Sequence, residues 1–153
     1  MLRMSKLTDY GTVVLAHLAG DNSQCLSAAD VAEASGIALP TVSKLLKALA
    51  KAEIVSSTRG AHGGYRLARQ PKQISATEVI DALEGPVSIT ECSAIDSHCD
   101  YESNCNVGGA WQRINIAIRR ALDDISLADL QRASSPVPHF NLGGIPISVA
   151  RKS

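Results

Sequence analysis

Three cysteines, Cys92, Cys99 and Cys105, lie within fourteen residues of one another. The surrounding stretch adds Glu91, Asp96, Asp100, Glu102 and His98, and from 73 to 107 there is no Lys or Arg. Thiols so placed serve as a disulfide framework, a metal site, a nucleophile or buried hydrophobes. Gaps of six and five residues fit no zinc knuckle of the C-x2–4-C kind, yet they are wide enough to wrap a cluster larger than one ion. Thiolates select iron–sulfur clusters, zinc or Cu(I). The neighbouring carboxylates disfavour free thiolates by like-charge repulsion. A bound cationic core removes that objection, because it deprotonates its thiol ligands. Metal ligation by Cys92, Cys99 and Cys105 is therefore the expectation. Cys25 stands apart and is expected to be a small, partly buried hydrophobe. No activating base stands at a spacing that would make a catalytic Cys, so no catalytic residue and no enzymatic activity are expected.

Such a site needs elements to hold it, and the charge pattern divides the chain. Residues 1–72 carry nine Lys/Arg against five Asp/Glu, 73–107 carry none against seven, and 108–153 carry six against three. Within 40–72 seven basic residues face a single acid, Glu53. A local basic stripe is the footprint of a nucleic-acid site. Nothing at the N-terminus resembles a signal peptide and no apolar run approaches a membrane span. A cytoplasmic protein with no membrane partner and no small-molecule substrate is expected, in which stable disulfides are rare.

Leu7, Tyr10, Val14 and Leu18 recur at helical spacing and predict a helix over about 6–19. Ser27 and Gly36 bracket a short helix, and Pro40 suits the first turn of another that runs to about Lys51. Its buried face would be Val42, Leu45, Leu46 and Leu49, its open face Thr41, Ser43, Lys44, Lys47 and Lys51. The run from Ile54 to Ala68, tipped by Gly60, Gly63 and Gly64, predicts a hairpin. A helix-turn-helix followed by a two-stranded hairpin is a winged helix. Ser75 and Glu78 form a capping-box pattern before a helix ending at Gly85. Trp111, Ile114, Ile118, Ala121, Ile125 and Ala128 step as a heptad-like seam, which predicts one helix over about 109–131 that pairs with a second copy. The expected fold class is mainly α with a small β wing, a winged helix-turn-helix plus a long dimerisation helix. The domains would be a DNA-binding domain at 1–85, a cluster-binding loop at 86–107, a dimerisation helix at 108–132 and a disordered tail at 133–153. In a helix-turn-helix the start of the second helix enters the major groove. Pro40, Thr41, Ser43, Lys44 and Lys47 are the candidate contacts there, with Arg59 at the wing positioned for a minor groove. Arg66, Arg69 and Lys72 would follow the backbone.

The stretches Arg3–Gly11 and Ser56–Ala68, taken with the cysteine trio, closely resemble the Rrf-type winged-helix regulators, whose members include IscR, NsrR and RirA. The likeness covers about 1–132, and the opening residues look most like the subgroup regulating the SUF iron–sulfur assembly operon. The resemblance implies a homodimeric, iron–sulfur-cluster-sensing repressor that binds a palindromic double-stranded DNA operator. It implies Cys92, Cys99 and Cys105 as ligands, 2Fe-2S ahead of 4Fe-4S as the cluster type, and Arg59 as the minor-groove reader. Two positions depart from one branch of the family: Gly108 replaces a ligating His, and Ser43 replaces a cluster-gated Glu. Asp9 matches the position from which the nitric-oxide-sensing branch supplies a fourth ligand across the dimer. His98 is its local rival and His62 a distant one. Alternatives are a winged-helix factor stapled by zinc on Cys92, Cys99, Cys105 and His98, and a nitric-oxide- or redox-sensing repressor.

Overall fold

The computed structural model describes residues 4–20, 24–90, 93, 107–132, 141–142 and 145–146. Helix α1 (Lys6–Gly20) turns Val14, Leu15 and Leu18 inward. Helix α2 (Ala28–Ser35) starts where the Ser27 hydroxyl accepts from the Asp30 N–H at 3.1 Å and the Asp30 carboxylate accepts from the Ser27 N–H at 2.9 Å. It stops at Gly36, whose φ of 70° is the left-handed conformation that glycine adopts most easily. Helix α3 (Leu39–Lys51) buries Val42, Leu45, Leu46 and Leu49, as the spacing predicts. Helix α4 (Ala76–Glu84) is capped reciprocally by Ser75 and Glu78. These helices close around one core that also takes in Val31, Ile54, Val55, Leu67, Ile74 and Val79.

The wing is β1 (Val55–Thr58) paired antiparallel with β2 (Gly64–Leu67), in the register Val55 to Leu67 and Thr58 to Gly64. Leu26 adds a bridge on the other edge of β2, exchanging both backbone hydrogen bonds with Tyr65 at 2.7 and 3.0 Å. The two glycines at the turn are required by space. A Cβ on Gly63 would lie 2.3 Å from the Thr58 carbonyl oxygen, and one on Gly64 would lie 2.7 Å from that of Leu26.

The long helix departs from expectation. Helix α5 spans Gly108–Asp123, and a separate helix, α6, spans Leu127–Gln131, so the seam does not continue to 131. The break has a local and a tertiary cause. Ser126 and Asp129 form a third capping box, which starts a new helix. Between the helices the chain runs beside residues 74–76. The Ala76 N–H donates to the Ile125 carbonyl, and the Leu127 N–H to that of Ile74, both at 2.8 Å. Leu127 is thereby fully buried in the winged-helix core. Near the C-terminus, β3 (Asn141–Leu142) pairs antiparallel with β4 (Ile145–Pro146), a local order within the tail that composition does not predict. Among the described residues, no helix is long and apolar enough to cross a membrane.

Candidate DNA interface and the cysteine segment

Helix α3 separates its residues as a recognition helix must. With Val42, Leu45, Leu46 and Leu49 buried, Lys44 and Lys47 stand exposed, as does Pro40, while Thr41 and Ser43 are half-buried at the edge of the same face. The start of α3 differs from those of α2, α4 and α6. Ala38 precedes it and offers no side-chain cap; Pro40 has no N–H to satisfy, and the Thr41 N–H donates to the Ala38 carbonyl at 2.9 Å. Arg59 is exposed at the wing turn, next to Gly60 with its φ of 113°. Arg66 and Lys72 are exposed as well.

Arg69, expected to follow a DNA backbone, is committed within the protein. Its guanidinium donates to the Gln73 carbonyl at 3.0 Å and pairs with Glu78 at 2.6 Å. Partial burial pushes the Glu78 carboxyl up, but Arg69 and the Ser75 cap outweigh it and hold the group below the usual carboxylate range. Beside this pair lies an open groove lined by Ser56, Arg66 and residues 67–70 and 73.

Cys92, Cys99, Cys105 and His98 lie outside the described residues, so the geometry of the trio is not part of the fold described above. Asp9 is exposed on the first turn of α1. Its neighbours hold that turn to the end of α4: Glu84 accepts from the Ser5 N–H at 2.9 Å and from the Thr8 hydroxyl. The Thr8 bond, with help from Ser5, draws the Glu84 carboxyl below its ordinary pKa. Gly108 is the first residue of α5, and His62 is exposed on the wing. Cys25 is free and half-buried. Among the described residues no three His, Cys, Asp or Glu side chains converge on a metal-sized site.

What the structure does describe is how the stem of the cysteine segment is fastened. Asp81 on α4 accepts from the Val87 N–H at 3.1 Å and from both ends of the Arg119 guanidinium on α5, at 3.2 and 2.8 Å. The Asn115 amide on α5 donates to the Val87 carbonyl at 3.2 Å and to the Ser93 carbonyl at 3.3 Å. Between these points Thr90 and Ser93 close a turn, the Ser93 hydroxyl donating to the Thr90 carbonyl at 2.8 Å. Asp81, Arg119 and Asn115 are absent from any reading of the sequence. The one available signal was Asn115 itself, a weak helix former set between Ile114 and Ile116.

Comparison with known proteins completes the picture. The family described as Rrf2, iron-dependent transcriptional regulator, matches residues 4–133. The protein Rrf2 of Nitratidesulfovibrio vulgaris is 34% identical over 138 residues, covering 90% of this chain and 92% of its own. The solved structure of CymR (YrzC), the global cysteine regulator of B. subtilis, superposes with a TM-score of 0.67 at 29% identity, covering 88% of this chain and all of that one. IscR of T. potens superposes with a TM-score of 0.64 at 30% identity, covering 88% and 89% of the two chains. The family and CymR are described as regulators, and the two solved structures share the fold described above. The chain belongs to the Rrf2 family of winged-helix, DNA-binding transcriptional regulators.

Proposed function

We propose that this protein is a cytoplasmic, homodimeric repressor of iron–sulfur cluster assembly genes of the SUF type, and that it senses an iron–sulfur cluster held by Cys92, Cys99 and Cys105. The observation that carries the reading is the placing of the cysteine segment. Its stem is tied at Val87 to the winged helix through Asp81 and at Val87 and Ser93 to α5 through Asn115, so a change among the thiols bears on both. The donor set suits such a group: three thiols, and no Lys or Arg between 73 and 107 to compete for them as a counter-ion. The iron-dependence in the family's description and the likeness to an IscR support it. A cluster bound there supplies an iron core that is lost or altered by oxidants, nitric oxide or iron shortage.

The chain's own part is positional. Pro40, Thr41, Ser43, Lys44 and Lys47 face a major groove, and Arg59 enters the flanking minor groove. The exposed Trp111, Ile114 and Ile116 on α5 face a second copy. That copy brings its own α3, roughly one helical turn of DNA away. Asp9 is the fourth ligand, contributed by the other subunit. Ordering the segment shifts the population towards one spacing of the two recognition helices.

The visible spectrum of anaerobically isolated protein tests this, with assays of iron, acid-labile sulfide and zinc. Sulfur-to-iron absorption and labile sulfide are expected, both lost on replacing any one of Cys92, Cys99 and Cys105 by Ala. A colourless protein with stoichiometric zinc would overturn the cluster in favour of a zinc staple.

A further inference from the structure

Asn115 is polar, lies within an exposed helix and is only 6% exposed. Both hydrogens of its amide are used, on the carbonyls of Val87 and Ser93, two points six residues apart in the chain. Its Oδ1 is buried with no hydrogen-bond partner among the described residues. A buried amide oxygen left unpaired is unfavourable, and a leucine would fill a similar volume without that cost. General packing does not explain an asparagine here. Its two donors do: one side chain draws the two ends of the stem together and onto α5. Ser93 is joined by a single peptide bond to Cys92, the first of the three thiols. The other tie on the stem, from Asp81 to the Val87 N–H, holds only its near end.

We propose that Asn115 is a positioning residue for the thiol site, fixing the main chain beside Cys92 onto helix α5 so that α5 registers the metal state of the cysteines. The role rests on the thiol-ligation reading above. Asn115 touches no metal in it; it acts through the carbonyl of Ser93.

The test uses the full chain, wild type beside Asn115→Leu and Asn115→Asp. The Leu variant keeps the apolar volume, while the Asp variant keeps the shape and replaces the donors by acceptors. Each is loaded anaerobically with ferrous iron and sulfide, then challenged with a chelator while the visible absorption is followed. Amide hydrogen exchange over Gly108–Asp123 is compared before and after loading, and the thermal midpoint of each unloaded protein is recorded. Wild type is expected to show slower exchange in α5 on loading. Both variants should lose the absorption about tenfold faster or more, the scale set by losing two hydrogen bonds, and exchange in α5 should no longer respond. For the Leu variant this is expected at a near wild-type thermal midpoint. Wild-type retention and an intact α5 response in both variants would overturn the positioning role and leave thiol ligation standing. Failure of wild type itself to take up iron and sulfide would instead remove the ligation reading, and the positioning role with it.

Discussion

The winged helix and the stem of the cysteine segment sit side by side, yet different forces hold them. Fourteen buried apolar side chains form the core of the first. Among the described residues from Val87 to Ser93 none is buried, and the stem depends on Asp81, Arg119 and Asn115 instead. A net hydrogen bond is worth about 1 kcal/mol, whereas a buried leucine is worth several times that on truncation. The core is thus the more strongly held of the two, and the stem is fastened by a few polar contacts.

The contrast can be broken most severely at Leu127. If α6 belongs to the core, Leu127→Ala should lower the unfolding free energy by about 2–5 kcal/mol in a denaturant titration, as other buried leucines do. A loss below about 1 kcal/mol, the typical effect at an exposed site, would return α6 to a continuation of α5. Arg59→Ala comes next: operator affinity should fall by about 1–3 kcal/mol in a binding titration at fixed salt, with the melting temperature unchanged. Asp81→Asn tests the polar side of the comparison. The pair with Arg119 is about 30% exposed, so screening reduces its worth and a loss of about 1 kcal/mol is expected. The same variant should speed amide exchange at Val87 and leave that of α3 alone.

Two smaller effects sharpen the picture. Glu53 holds a φ of 58° after α3, a conformation that suits glycine, so Glu53→Gly should stabilise the winged helix by up to about 1 kcal/mol. Glu84 has a folded pKa drawn below 4.5 by Thr8 and Ser5. Its contribution is therefore full above pH 4.5 and lost as pH falls through the lowered value. Glu84→Gln should melt lower than wild type near neutral pH, with the gap closing in acid.

Where the signals were local, the sequence was legible. Ser27, Gly36, Pro40 and the glycines at 63 and 64 each dictate backbone within a few residues, and the winged helix followed from them. The seam from Trp111 to Ala128 misled because its spacing suits a continuous helix equally well. What decided the matter was Leu127 meeting Ile74, more than fifty residues away in the chain. The stem was illegible for the same reason: Asn115 with Val87 and Arg119 with Asp81 are single polar pairs across long separations, and no periodicity announces them. Arg69 was equally illegible: only the fold shows that its guanidinium is spent on Glu78.

The joint between α5 and α6 carries one more consequence. A break of three residues, Asp124 to Ser126, looks like a hinge, yet a backbone bridge on one side and a buried leucine on the other make it a weld. Thr77 and Asp81 grip α5 again one turn earlier, at Arg119. The seven residues from Gly108 to Ile114 then project as a stiff arm of about 10 Å, at about 1.5 Å per residue. That arm is tied to α4 through Arg119 and to the winged-helix core through Leu127.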